Sequence, residues 1–241
     1  YDRVLADRGY GRYVTTGSLT TLMSMFELEN WSINDDGELD RIDAIFERYP
    51  EIEFVHLMLG GDDILWMDYY NSLTSLSNDT INGKLNALEG YLQTVVDYLL
   101  AKGPTVRVLL ADYDYFDFAR LDATYPDLRL RETTQQRFNE VMLMFGQRKM
   151  EIAARTDRCD YLQNWGLLQY RMGYPPLWQA GGVPFPGVMP DYNPYPGGNP
   201  SYPSPLLAYV NSDGWTPTYQ ASYWCFENAL NQYYSLYLEP G

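Results

Sequence analysis

Apolar residues fall along this chain in two rhythms. Phe54, Val55, Leu57, Met58 and Leu59 form a nearly continuous run that stops at Gly60-Gly61, with Asp62, Asp63 and Ile64 following. Such a run predicts a strand over Glu53–Leu59 buried on both faces, as in a parallel sheet. Thr105–Ala111 predicts a second strand and Cys159–Trp165 a last one, while Tyr10–Thr16 has the composition of a short strand. The other rhythm is helical. Leu39, Ile42, Ile45 and Phe46 mark one face of a helix over Glu38–Tyr49, stopped by Pro50. Ile81, Leu85, Leu88, Leu92, Val95, Val96 and Leu99 mark a long helix that Gly103-Pro104 closes. Phe138, Val141, Met142 and Phe145 place another over 132–154. Tyr219, Tyr223, Phe226, Leu230, Tyr233 and Tyr237 lie on one stripe of a closing helix over 218–238. Residues 1–9 read as the end of a helix closed by Gly9. Strands alternating with helices predict one α/β domain over 1–241, a parallel sheet with helices on both faces. Residues 174–205, rich in Pro, Gly and Tyr without periodicity, predict a long loop or lid.

Composition narrows the function. The net charge is −15 over 241 residues, a surface that repels phosphate backbones and anionic lipid, so neither nucleic acid nor a membrane surface is an expected partner. No apolar run is long enough to span a bilayer, so no membrane insertion is expected. With 23 Tyr and only three Lys, the composition leans towards an extracellular or cell-surface protein. Cys159 and Cys225 are either one disulfide or two unpaired buried thiols. Asn30-Trp31-Ser32 and Asn78-Asp79-Thr80 have the pattern of glycosylation acceptors. Tyr1 is not an initiator Met, which points to a chain that is processed, trimmed or numbered from an internal point.

Several clusters have chemistry to offer. In parallel sheets ligands sit beyond the carboxyl ends of the strands, where Gly60, Gly61, Asp62 and Asp63 fall. Asp112, Tyr113, Asp114 and Tyr115, with Phe116 and Asp117, follow the second strand. Aromatic faces with carboxylates suit a carbohydrate cleft, and a packed rim beneath the 174–205 loop is the other reading. Asn34, Asp35, Asp36, Glu38 and Asp40 offer oxygen ligands for Ca²⁺ or a helix-capping turn. The only histidine, His56, lies inside the first apolar run and reads as a core residue. There is no Cys/His metal set, no phosphate-binding Gly loop and no dinucleotide fingerprint, so no cofactor or metal is expected.

Three stretches together resemble the SGNH (GDSL-type) hydrolases. Leu59-Gly60-Gly61-Asp62-Asp63-Ile64 resembles their Gly-x-Asn-Asp block. Ser212-Asp213-Gly214-Trp215-Thr216-Pro217-Thr218, with Tyr223 in the helix behind it, resembles their final Asp-x-x-His block. Thr16-Gly17-Ser18-Leu19-Thr20-Thr21 resembles their second block, whose Gly17-equivalent lends an amide to the oxyanion hole. Order and spacing agree over essentially the whole chain. The resemblance implies a flavodoxin-like three-layer fold with a parallel sheet.

The departures from the family point away from hydrolysis. The Gly-Asp-Ser block that carries the nucleophile occurs nowhere. Asp62 stands where the family has an Asn, and an ionised Asp accepts hydrogen bonds but cannot donate one to an oxyanion. Thr216 stands where the family has its His and cannot act as a general base near neutral pH. Asp213 keeps the place of the family's acid without an imidazole to orient. Ser18 is the runner-up nucleophile, also without a base. The family's first strand lies between its second and third, so strands at Tyr10–Thr16 and Glu53–Leu59 would flank an empty slot. Its unpaired backbone groups would cost about 1–3 kcal/mol each. That predicts a complementing N-terminal segment or a strand from a neighbouring subunit. The expectation is a degenerate SGNH-like extracellular domain acting as a structural, assembly or carbohydrate-binding module. The alternative is an ester hydrolase, a lipase or carbohydrate esterase, whose Ser-bearing segment lies upstream of Tyr1.

Overall fold

In the computed structural model, residues 1–16, 27–67, 72–124, 133–171, 201 and 217–241 are described. They form a mixed α/β structure in two compact units. The sheet unit comprises Thr16–Ala111 and Val141–Tyr161; the terminal unit comprises Tyr1–Thr15, Asp112–Glu140 and Leu162–Gly241.

The sheet unit is built around three strands, β1 (Phe54–Leu57), β2 (Arg107–Ala111) and β3 (Cys159–Leu162), in the order β1-β2-β3. The sheet is parallel, with Phe54 opposite Arg107 and Leu57 opposite Leu110. Parallel neighbours need a crossover, and long helices supply it. α5 (Asn78–Leu100) lies between β1 and β2 in the chain, and α7 (Gln135–Arg155) between β2 and β3. α5 begins where Ser77 accepts a hydrogen bond from the Thr80 N–H, and it buries Ile81, Leu85, Leu92, Val95, Val96 and Leu99, the face its periodicity marks. From α7 the unit takes Val141, Met142, Phe145 and Ile152, all fully buried. Two shorter helices, α2 (Glu27–Ile33) and α3 (Glu38–Arg48), complete it with α4 (Gly61–Leu65), which starts directly after β1.

The corner between α5 and β2 is closed from a distance. The Arg158 guanidinium donates to the carbonyls of Leu100 (3.5 Å), left open at the helix end, and of Gly103 (2.8 Å) and Val106 (2.7 Å) in the turn that follows. Its own carbonyl accepts from the Val108 N–H at 2.9 Å, and its φ of 61° places it in the left-handed region.

In the terminal unit, α1 (Asp2–Asp7) and α8 (Leu167–Arg171) both pack on α9 (Tyr219–Gln232), and α6 (Phe118–Thr124) follows the β2 end. Buried Glu227 on α9 forms ion pairs with Arg8 and Arg171. Phe116, Phe118 and Phe138 stack edge to face or tilted, with centroids 5.3–5.6 Å apart.

Four expectations are corrected. Tyr10–Thr16 forms no strand: the Thr15 N–H (2.6 Å) and Oγ1 (2.9 Å) both donate to Asp2 Oδ1, so the segment bonds back to α1. The slot expected between it and the Glu53–Leu59 strand therefore lacks one of its walls. β1 is shorter than that stretch and is not covered on both faces: Phe54, Val55 and His56 are half-buried and Met58 is exposed. Among the described strands it is an edge, paired only with β2. Cys159 and Cys225 are both free thiols, so the disulfide is not formed. Burial pushes both above the ordinary thiol value, Cys159 to about 12. On α9 the stripe is inward only at Phe226, Leu230 and Tyr233; Tyr219, the first residue of the helix, is exposed, and so is Tyr237, past the point where the helix gives way to a 3-10 turn after Gln232. The loop expected over 174–205 lies, apart from Ser201, outside the described residues.

Candidate functional site

The turn after β1 gathers the acids that the sequence placed there, and one more. Gly60 ends the strand segment with φ +92°, a left-handed conformation that a side chain resists. A Cβ there would also lie 2.8 Å from Phe145 Cζ and 3.0 Å from Leu28 Cδ1. Position 60 is therefore glycine for both conformation and space. The turn brings Asp62 and Asp63 into the first turn of α4, where negative charge is favourable.

Asp63 is buried, and both its carboxylate oxygens accept from the Leu28 N–H, at 3.2 and 3.3 Å. That N–H is one of the donors α2 leaves unpaired in its first turn, so Asp63 caps a helix other than its own. In return Glu27, the first residue of α2 and also buried, accepts from the Gly60 N–H at 3.1 Å. Glu27 takes the place that a capping-box acid three residues into α4 would fill. Desolvation, then the negative charge of Glu27, push the Asp63 carboxyl up to about 8, while the Leu28 N–H pulls the other way. Asp62, where the family resemblance expects an amide donor, is half-buried at the second position of α4. Every side-chain oxygen of Asp62, Asp63 and Glu27 is an acceptor when ionised.

His56 on β1 is held at about 4 by desolvation, so its ring is neutral at physiological pH. On α7 the buried Lys149 donates to the Ala111 carbonyl at 3.1 Å, beyond the last hydrogen-bonded pair of β1 and β2.

The acids after β2, in the terminal unit, have a different setting. Asp112 is buried; its Oδ2 accepts from Trp165 Nε1 at 2.8 Å and its carbonyl from Asn164 Nδ2 at 2.7 Å. Asn164 Oδ1 in turn accepts from Asn228 on α9, at 2.9 Å. Asp114 accepts from the Gly166 N–H (2.8 Å) on one oxygen and the Leu168 N–H (2.7 Å) on the other, capping α8. Tyr115 is buried against Trp165 with centroids 5.5 Å apart, and Tyr113 lies 5.7 Å from Phe116. These residues hold the terminal unit together at the place where a sugar-binding rim was considered.

The turn at Asn34–Asp40 is likewise tied to its helix. Asn34 (φ 58°) accepts from the Leu39 N–H at 2.8 Å and donates to Asp40 at 3.2 Å, and Glu38 accepts from the Asp36 N–H at 3.2 Å. Gly17, Ser18, Asp213 and Thr216 lie outside the described residues. Glu27 and Lys149 were missed by sequence reasoning, although each left a signal. Glu27 is a lone acid within the apolar run Met25-Phe26-Glu27-Leu28, and Lys149 continues the inward face of α7 one turn beyond Phe145. No family model, curated protein or solved structure matches the chain.

Proposed function

We propose that this chain is a catalytically silent SGNH-like domain that works outside the cell as a structural, assembly or binding module. The observation that carries the reading is the pair of crossed caps at the turn after β1. Where ester hydrolysis needs a donor aimed at a developing oxyanion, Asp62 puts an acid in place of the family's amide, and the oxygens of buried Asp63 and Glu27 already hold backbone N–H groups of their own fold. The single histidine is desolvated and neutral on a strand. The high tyrosine count favours contact surfaces, because Tyr supplies area with few torsions to freeze. Self-association, a complementing N-terminal segment and carbohydrate are the partners this reading offers.

The test uses the native protein with p-nitrophenyl acetate and butyrate and a fluorophosphonate probe, beside Ser18→Ala. No turnover above buffer and no labelling are expected. Stoichiometric labelling with hydrolysis that disappears in Ser18→Ala overturns the reading. Sedimentation over a wide concentration range, with intact-mass analysis for a co-purifying peptide and a glycan array, tests the module itself. A strict monomer without peptide or glycan would sink that half.

A further inference from the structure

The two buried hydrogen bonds between α2 and the turn after β1 close a ring. The Leu28 N–H donates to Asp63, the chain leads back from Asp63 through α4 to Gly60, and the Gly60 N–H donates to Glu27, which precedes Leu28. We propose that Asp63 and Glu27 form a pH-sensitive latch that fastens the start of α2 to the turn after β1 in acid and loosens as the solution becomes alkaline. The latch is a device of the fold, independent of whether the domain hydrolyses anything.

The charged groups that face Asp63 are Glu27 from α2 and Asp62 from its own helix, and both disfavour its ionisation. From α7 the neighbour of this turn is the ring of Phe145 against Gly60, and Lys149, one turn on, donates to the Ala111 carbonyl. A neutral Asp63 still accepts the Leu28 N–H through its carbonyl oxygen, with no like charge set against Glu27. When the start of α2 lifts away, Asp63 meets water and ionises near its ordinary value of 3.8, whereas in the closed form it holds its proton to about 8. The closed form therefore binds the extra proton. The opening equilibrium rises by up to tenfold per pH unit between about 4 and about 8 and levels off above that.

Amide hydrogen exchange followed by NMR reads this directly, after correction for the base catalysis of exchange itself. Protection of Leu28 and Gly60 is expected to fall several-fold per pH unit from pH 5 to 8, while Leu92 and Val96 in the middle of α5 stay better protected throughout. Asp63→Asn, which keeps an oxygen for the Leu28 N–H, is expected to flatten the slope. Glu27→Gln, which removes the like charge, is expected to move the carboxyl midpoint of Asp63 downwards, read from its ¹³C shift in the otherwise native chain. A flat profile at Leu28 and Gly60, the same slope in Asp63→Asn, exchange of these amides only together with α5, or an Asp63 midpoint in the ordinary carboxylate range each overturns the proposal.

Discussion

Two aspartates, Asp63 and Asp114, follow neighbouring strands of one sheet, six residues beyond the end of β1 and three beyond that of β2, and the protein treats them in opposite ways. Asp114 has a separate backbone N–H for each oxygen, from Gly166 and Leu168. Asp63 shares the Leu28 N–H between its two oxygens, has its own backbone N–H besides, and stands beside the charge of Glu27. Burial beside an acidic neighbour drives Asp63 towards its neutral form although backbone donors pull the other way. An acid beyond each strand end thus becomes a cap fed by several backbone donors in the terminal unit and one set against a neighbouring charge in the sheet unit. Local donors and neighbouring charge together decide which role such an acid takes.

The comparison is broken most forcefully at Gly60, on which the sheet unit's arrangement depends. Gly60→Ala combines left-handed strain with a Cβ pressed on Phe145, and a loss of about 3–4 kcal/mol is expected in urea unfolding. Asp114→Asn comes next. An amide turns an N–H₂ towards at least one of the three backbone donors, from Tyr115, Gly166 and Leu168, and a loss of about 1–3 kcal/mol is expected. Asp63→Asn should cost less than about 1 kcal/mol near neutrality and become neutral or stabilising above pH 8, because one oxygen keeps the Leu28 N–H and the buried negative charge is gone. If Asp63→Asn proves as damaging as Asp114→Asn at pH 8.5, the contrast drawn between the two sites fails.

The subtlest effect is in the pH profile of stability. Asp63, raised in the folded state, contributes stability that is complete below its ordinary value and is lost as pH rises to about 8. His56, lowered in the folded state, contributes stability that is complete above its ordinary value and is lost as pH falls to about 4. Between about pH 4 and 6.5 the two slopes oppose each other, and between 6.5 and 8 only that of Asp63 remains. Denaturation midpoints should therefore vary little from these two groups over the first window and decline over the second, by at most about 1.4 kcal/mol per pH unit. A midpoint that climbs from pH 6.5 to 8 and keeps that climb in Asp63→Asn removes Asp63 from the account.

Much of the sheet unit was legible because its signals are local. The inward residues of α5 recur at helical spacing, and the β2 segment is apolar and bounded by Gly103-Pro104 on one side and an acid on the other. What escaped depended on partners far along the chain. Tyr10–Thr16 has the residues of a strand, but propensity describes an extended backbone and not its pairing, and Asp2 supplied the acceptor instead. The apolar run at β1 suggested two covered faces, yet Phe54, Val55 and His56 are half-buried on a strand that is an edge among the described strands. At the candidate site Asp62 and Asp63 were marked by their place after the strand. Glu27 was not, since its relation to Gly60 spans 33 residues and no spacing rule reaches that far. The cysteines show the same limit, because two thiols in a sequence carry no information about whether their Cβ atoms meet.

The single guanidinium that closes the corner between α5 and β2 sets a schedule for the molecule. The carbonyls of Leu100, Gly103 and Val106 wait 58, 55 and 52 residues for the side chain that occupies them. During synthesis the end of α5 must remain hydrated until Arg158 has left the ribosome. Any fragment cut before that residue carries α5 and β2 without the clasp that joins them, so the sheet unit cannot be completed before Arg158 has been made.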